Sequence, residues 1–204
     1  MAKKQAFALT AYDAREIIKT GELTSELEME RAVRAKRLLR LMNNDQPGLE
    51  PLIMALSDLI VDYESKHWSN VNLITDDQMS ESVLAEKQVD KEGSFFRKRK
   101  ELITQKLKQH ALNQNDLSAI LSHSKSYTSE LLNGVRTFSL SDLIIIHKLF
   151  DISLENLILT EIPVEIKKKF NEAKKESARR KTKNSSKVRS GKVAVAQSLV
   201  TIRR

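Results

Sequence analysis

An all-α fold is predicted by two features of this 204-residue sequence. Apolar residues recur three and four positions apart through most of the chain, which is the spacing of one face of a helix. Turn-forming residues are few, with five Gly and three Pro, and aromatic residues make up only 5% of the chain. Such a composition disfavours a sheet of many short strands. The length suits one or two domains.

A helical hairpin is predicted for the N-terminal region, residues 1–66. Thr10 is placed to cap a short helix that ends near Gly21, and Ser25 with Glu28 has the pattern of a capping box ahead of a longer helix. After the loop sequence NNDQPGLEP, Pro51 suits the first turn of the next helix. Both longer helices have an apolar face, so we expect them to pack against each other. Residues 67–93 are expected to be an acidic linker, with a helix inside DDQMSESVLAEKQ.

Five short helices are predicted between residues 94 and 160. The first, in FFRKRKELITQKLKQHA, begins with a run of basic residues. Each later helix starts at a residue that can cap it with its own side chain. These predicted caps are Asn113, Ser124, Ser139 and Ser153. Gly134 tolerates the left-handed conformation that ends a helix, which places the end of the third helix at Asn133.

The second and third of these helices have the pattern of a helix-turn-helix. LNQNDL opens the second helix, SKSYTSELLNG forms the third, and FSLSDLIIIHKLFDISLENLI covers the closing two. Residues 95–160 thereby resemble the Cro/repressor (XRE-like) family, which implies a five-helix domain whose third helix reads the major groove of an operator. The sequence differs from the family at Ser118, where Ala is usual, and at Ser122, where Gly often makes the turn. We therefore expect a strained or altered turn at Ser122.

The resemblance implies a set of DNA-binding residues. Asn113 and Gln114 correspond to a pair that grips phosphate, and Lys125, Ser126 and Glu130 correspond to readers of base edges. The remaining expected phosphate contacts are Ser124, Ser129, Arg136 and the backbone beyond Gly134. A plain bundle of five capped helices is the alternative interpretation.

The N-terminal hairpin resembles that of HigA-type antitoxins. In both, a leucine-rich helix leads through an Asn, Asp and Pro loop into a second leucine-rich helix. The implied function is a transcriptional repressor that neutralises a small basic toxin, an RNase that cleaves messenger RNA, and represses the operon they share. The expected partner contacts are Leu38, Leu39, Leu56 and Tyr63. A dimerisation hairpin in a stand-alone regulator is the alternative, and a homodimer is expected in either case.

Charge changes sign along the chain. Residues 1–93 hold 12 basic and 17 acidic side chains, residues 94–160 hold 9 and 6, and residues 161–204 hold 14 and 4. An acidic N-terminal region suits a basic partner, and a basic C-terminal region suits a polyanion. The tail, residues 161–204, is expected to be a solvated, partly disordered extension. The alternative is that it adds nonspecific contacts to DNA phosphates.

Other functions have little support in the sequence. The four His have no metal-ligand spacing, there is no Cys, and no Gly-rich phosphate loop or catalytic arrangement is present. We therefore expect no enzyme activity, no metal and no cofactor. No apolar run approaches the roughly 20 residues of a membrane helix, and the first residues lack a signal-peptide core, so a cytoplasmic protein is expected.

Overall fold

A computed structural model of the chain describes residues 13–44, 48–160, 162 and 166–180, and their regular structure is helical. The all-α prediction is confirmed for these residues. The chain divides into two units, residues 1–159 and 160–204. The helices of the first unit are α1 (Ala14–Thr20), α2 (Glu26–Asn43), α3 (Glu50–His67), α4 (Asp76–Gln109), α5 (Gln114–Ile120), α6 (Lys125–Asn133), α7 (Leu140–Phe150) and α8 (Leu154–Leu157), with a 3-10 turn at Val71–Leu73.

Side-chain caps start four of these eight helices at the predicted positions. The predicted cap Ser153 precedes α8 but makes no side-chain cap bond. Ser25 accepts from the Glu28 amide at the start of α2, and Ser124 accepts from the Tyr127 amide at the start of α6. Complete capping boxes, formed by Asn113 with Asp116 and by Ser139 with Asp142, start α5 and α7. The first helix is capped by Asp13, whereas the expected cap, Thr10, lies outside the described residues.

The first three helices enclose an N-terminal core. Its buried apolar residues include Ile17, Leu23, Met29, Ala32, Ala35, Leu39, Met42, Ile53, Leu56, Ile60 and Tyr63. One carboxylate is buried at its edge, where Glu26 Oε1 accepts from the Tyr63 hydroxyl at 2.9 Å and from Trp68 Nε1 at 3.0 Å. The pKa of Tyr63 is raised by burial and then by this bond to Glu26, so the hydroxyl remains a donor.

The longest helix, α4, passes through the boundary expected at residues 93 and 94. It has 34 residues and a length of about 51 Å at the usual rise. Its first half packs on α2, where Arg31 Nη2 and Nε bind the two carboxylate oxygens of Glu92 at 2.8 and 3.1 Å. Residues 76–93 are therefore packed helix, which corrects the expectation of a linker there. The helical periodicity of apolar residues is weak in this half of α4, because a small residue, Ala85, and a charged residue, Glu92, occupy buried positions.

A second core lies between the end of α4 and helices α5 to α8. Its buried members are Ile103, Leu107, Leu117, Leu121, Leu131, Leu132, Phe138, Leu143, Ile146, Phe150, Ile152 and Leu157. Gly134 ends α6 with a positive φ of 71° and lies so close to Phe96 that a Cβ would come within 3.1 Å of that side chain. The next residue, Val135, is buried in the N-terminal core instead. The two cores thus meet at the end of α6.

The described part of the second unit is a helix over residues 166–180, whose side chains are exposed from position 167 onward. The expected solvated character of the tail is confirmed for residues 167–180, and an ordered helix there is compatible with a tail that is only partly disordered. Residues 181–204, where disorder was also expected, lie outside the described residues. In the part of the chain that the structure describes, no helix is long and apolar enough to span a membrane.

Candidate nucleic-acid interface

Helices α5 and α6 form a packed pair joined by only four residues, 121–124. Leu117 on α5 and Leu131 on α6 are both fully buried in the second core. Their inner faces are thereby fixed against the rest of the unit. What remains outside is the polar start of each helix.

The turn between the two helices has a left-handed residue at Ser122, with φ of 57°. Its amide donates to Ala119 O at 3.1 Å, and the His123 amide donates to Ser118 O at 2.9 Å. The expectation of a strained turn at Ser122 is confirmed, since a left-handed conformation costs a non-glycine residue about 1–2 kcal/mol. His123 Nε2 also lies 3.0 Å from Asp142 Oδ1, which ties the turn to α7.

The start of α6 exposes two of the predicted base readers. Lys125 and Ser126 are exposed in its first turn, because the buried face of the helix begins at Thr128. Ser124 is exposed as well, with its hydroxyl engaged in the cap. This turn therefore presents a cation and short polar groups to solvent, on a helix whose opposite face is buried.

The start of α5 places Asn113 and Gln114 on the surface. The Asn113 side chain already accepts from the amides of Asn115 and Asp116, at 2.7 and 3.4 Å. The Asn113 side chain could therefore make its predicted phosphate contact only through the hydrogens of Nδ2. Gln114 is exposed at the first position of the helix and is sterically accessible to a ligand.

Two other predicted contacts, Ser129 and Glu130, are buried, and the structure corrects both. Glu130 Oε1 lies 3.3 Å from Arg15 Nη2 of α1, and Glu130 Oε2 lies 2.9 Å from Arg136 Nε. Ser129 Oγ and O accept from the Asn133 side chain. The physical reason is packing on the end of α6, where α4 lies against the helix and α1 reaches it through Arg15 and through the Ala14 amide, which donates to Val135 O at 2.9 Å.

Arg136, a predicted phosphate contact, is held against α6. Its guanidinium carbon lies 4.3 Å from the centre of the Tyr127 ring. Burial lowers the pKa of Arg136, but the bond and the charge of Glu130 outweigh it, so the net shift is upward. Arg136 stays cationic and keeps a minor exposed fraction of 17% for a phosphate.

Sequence reasoning assigned no role to Lys100, an exposed cation beside the end of α6. Its Nζ donates to Asn133 Oδ1 at 2.8 Å. Arg99, its neighbour in the same basic run, is buried instead, where its Nη1 donates to Leu157 O at 3.2 Å. Burial and then the charge of Arg34 lower the pKa of Arg99 to about 10. The run at residues 97–100 was the available signal, but it could not separate the buried cation from the exposed one.

The predicted partner contacts of the hairpin do not form a surface. Leu39, Leu56 and Tyr63 are buried in the N-terminal core, and Leu38 is half-buried against it. This corrects their assignment as partner contacts. The apolar faces of α2 and α3 pack against each other, which leaves these side chains inaccessible to a partner.

No metal site emerges in the described ranges, since no three His, Asp or Glu side chains are grouped so that they could hold an ion. Comparisons with protein-family models, curated proteins and solved structures found nothing that matches this chain.

Proposed function

We propose that the chain is a sequence-specific DNA-binding protein that represses transcription, with α5 and α6 as a helix-turn-helix and α6 in the major groove. The observation that carries the proposal is the exposed first turn of α6, Lys125 and Ser126, on a helix whose opposite face is fully buried. A recognition helix presents its N-terminal residues to base edges while the preceding helix braces it. The short connection and the shared core supply that brace.

Exposed cations on α4 support the proposal, and one of them reaches the C-terminal end of α6. Arg97, Lys98 and Lys100 are exposed on α4, and Lys100 lies beside the end of α6 through Asn133. Cations around a reading helix hold phosphates and set its register without reading sequence. We assign sequence choice to Lys125 and Ser126 and assign positioning to Gln114, Lys100 and Arg136.

The proposal is tested by selecting duplexes from a random pool with the full chain. We expect one enriched site, which the variant Lys125→Ala/Ser126→Ala recognises with less discrimination. The loss is about 1–3 kcal/mol for each base contact removed. The matched control is Ser65→Ala/Lys66→Ala, which makes the same two changes on the exposed end of α3. The control should select the wild-type site. No enrichment by the wild type, or an unchanged preference in the α6 variant, would contradict the proposal.

Toxin neutralisation stays a prediction from the resemblance. The apolar residues assigned to it are part of the core, so a partner would have to use other groups. The acidic side chains of α2 and α4 are one such set. They lie close together, because their charges, after burial, raise the pKa of Glu30. A stand-alone regulator needs no such partner, and the exposed turn of α6 serves either function.

A further inference from the structure

An apolar strip is exposed on the outer face of the first half of α4. Met79, Val83 and Leu84 expose 50%, 43% and 52% of their surface, and with Ser80 they line one shallow depression. The opposite face of the same helix is buried through Ala85 and Val89. Three large apolar side chains within six residues of a solvent face favour contact with another surface.

This part of α4 is held in place, so the strip is a fixed surface. The helix is capped by Thr75, whose hydroxyl accepts from the Gln78 amide. The Gln78 side chain donates to His67 O at 2.8 Å, which joins the start of α4 to the end of α3. A contact on the strip therefore requires little ordering of the backbone.

The charges at the two ends of the strip are opposite. Asp76, Ser80, Val83 and Lys87 are spaced by four, three and four residues, which places them along one stripe of the helix. All four are exposed. Asp76 and Lys87 lie at equal distances from the midpoint between residues 81 and 82, and so do Met79 and Leu84.

This symmetry suits a second copy of the chain as the partner. A second copy laid antiparallel across the midpoint places each Asp76 opposite Lys87 of the other copy and each Ser80 opposite Val83. The two Met79 side chains then lie on one side of this stripe and the two Leu84 side chains on the other. A parallel copy would place like charges opposite each other at both ends, which is unfavourable. We propose that this strip is a two-fold interface on which a second copy of the chain docks, with the α4 helices antiparallel. The proposal does not depend on DNA binding.

The contact is small beside a standard interface, so the dimer should be weak in the absence of other contacts. We expect a dissociation constant on the order of 10 μM or weaker, as for small transient interfaces. Its self-complementary layout is that of an isologous dimer, in which the same patch serves both copies.

Charge reversal on the full chain tests the proposal by sedimentation analysis across a concentration series. Asp76→Lys alone and Lys87→Asp alone should each weaken the dimer at least tenfold, because each puts like charges together at both ends. The double variant D76K/K87D should return to the wild-type value. A mixture of the two single variants should associate more tightly than either one alone, since only the mixed pair restores opposite charges at both ends.

Asp58→Lys, a reversal at an exposed position on α3, is the matched control and should dimerise as the wild type does. Circular dichroism of each variant checks that α4 is intact. A wild type that stays monomeric throughout the series, or single variants that dimerise as well as the wild type, would overturn the proposal. So would a double variant or a mixture without recovery.

Discussion

The hairpin of α2 and α3 and the pair of α5 and α6 are both amphipathic helices with short connections, yet they use their surfaces differently. In the hairpin the prominent apolar residues, such as Leu39 and Leu56, are buried against each other. In the pair the buried face of α6 leaves a polar first turn exposed at Lys125 and Ser126. In these two regions the apolar stripe forms the core, whereas the polar residues just after the Ser124 cap form an accessible surface.

The largest effect we predict concerns whether these two regions unfold together. Leu131 is fully buried in the second core, so Leu131→Ala should cost about 2–5 kcal/mol of unfolding free energy. The only tryptophan, Trp68, lies at the N-terminal core and donates to Glu26. Val135, just after α6, is buried in the N-terminal core, and α4, bound to α2 by the Arg31–Glu92 ion pair, continues into the second core. The variant should therefore shift the unfolding transition equally whether it is followed by Trp68 fluorescence or by circular dichroism.

Leu41→Ala, at a position with 62% exposure, is the control for that experiment and should leave both transitions near the wild type. If Leu131→Ala moved the circular dichroism transition and left the Trp68 transition in place, the regions would be independent domains. The boundary expected at residues 93 and 94 would then describe the chain better than a continuous α4.

A smaller effect separates stability from recognition at Glu130. This side chain is buried between Arg15 and Arg136, so Glu130→Gln should lower the unfolding free energy by about 1–3 kcal/mol. The preferred DNA site should stay the same, because the buried Glu130 side chain cannot reach a base. Glu101→Gln, at an exposed position on α4, should change neither property. An altered base preference in the Glu130 variant would restore the role as base reader that the resemblance implied.

The smallest effect is a gain of stability at the turn between α5 and α6. Ser122 has a positive φ, and Gly adopts that conformation without steric cost. Ser122→Gly should therefore raise the unfolding free energy by up to about 1 kcal/mol, measured by chemical denaturation. Ser141→Gly inside α7 is the opposite control and should lower it, since that position is helical. A loss of stability in the Ser122 variant would mean that the side chain contributes more than the strained backbone costs.

The parts of the fold that the sequence predicted are those set by local bonds. Caps such as Asn113 and Ser124 bind amides two or three residues away, so a short stretch of sequence determines them. The burial of Glu130 depends on Arg15, 115 residues earlier, and that of Glu92 depends on Arg31, 61 residues earlier. No periodicity links such pairs. For this reason the sequence indicated the exposed residues of the candidate site and missed the burial of Glu130, which Arg15 of α1 binds.

The most direct test of DNA recognition by α5 and α6 uses a tethered cleavage reagent, because the chain has no cysteine. Asn115→Cys introduces a single attachment point at an exposed position beside the start of α5 and leaves Lys125 and Ser126 unchanged. Bound to the selected duplex, a hydroxyl-radical generator at position 115 should cut the strands within the site. The same reagent on Ser65→Cys, at the end of α3, should leave the DNA intact. Cleavage from position 65 with none from position 115 would show that another face of the protein holds DNA.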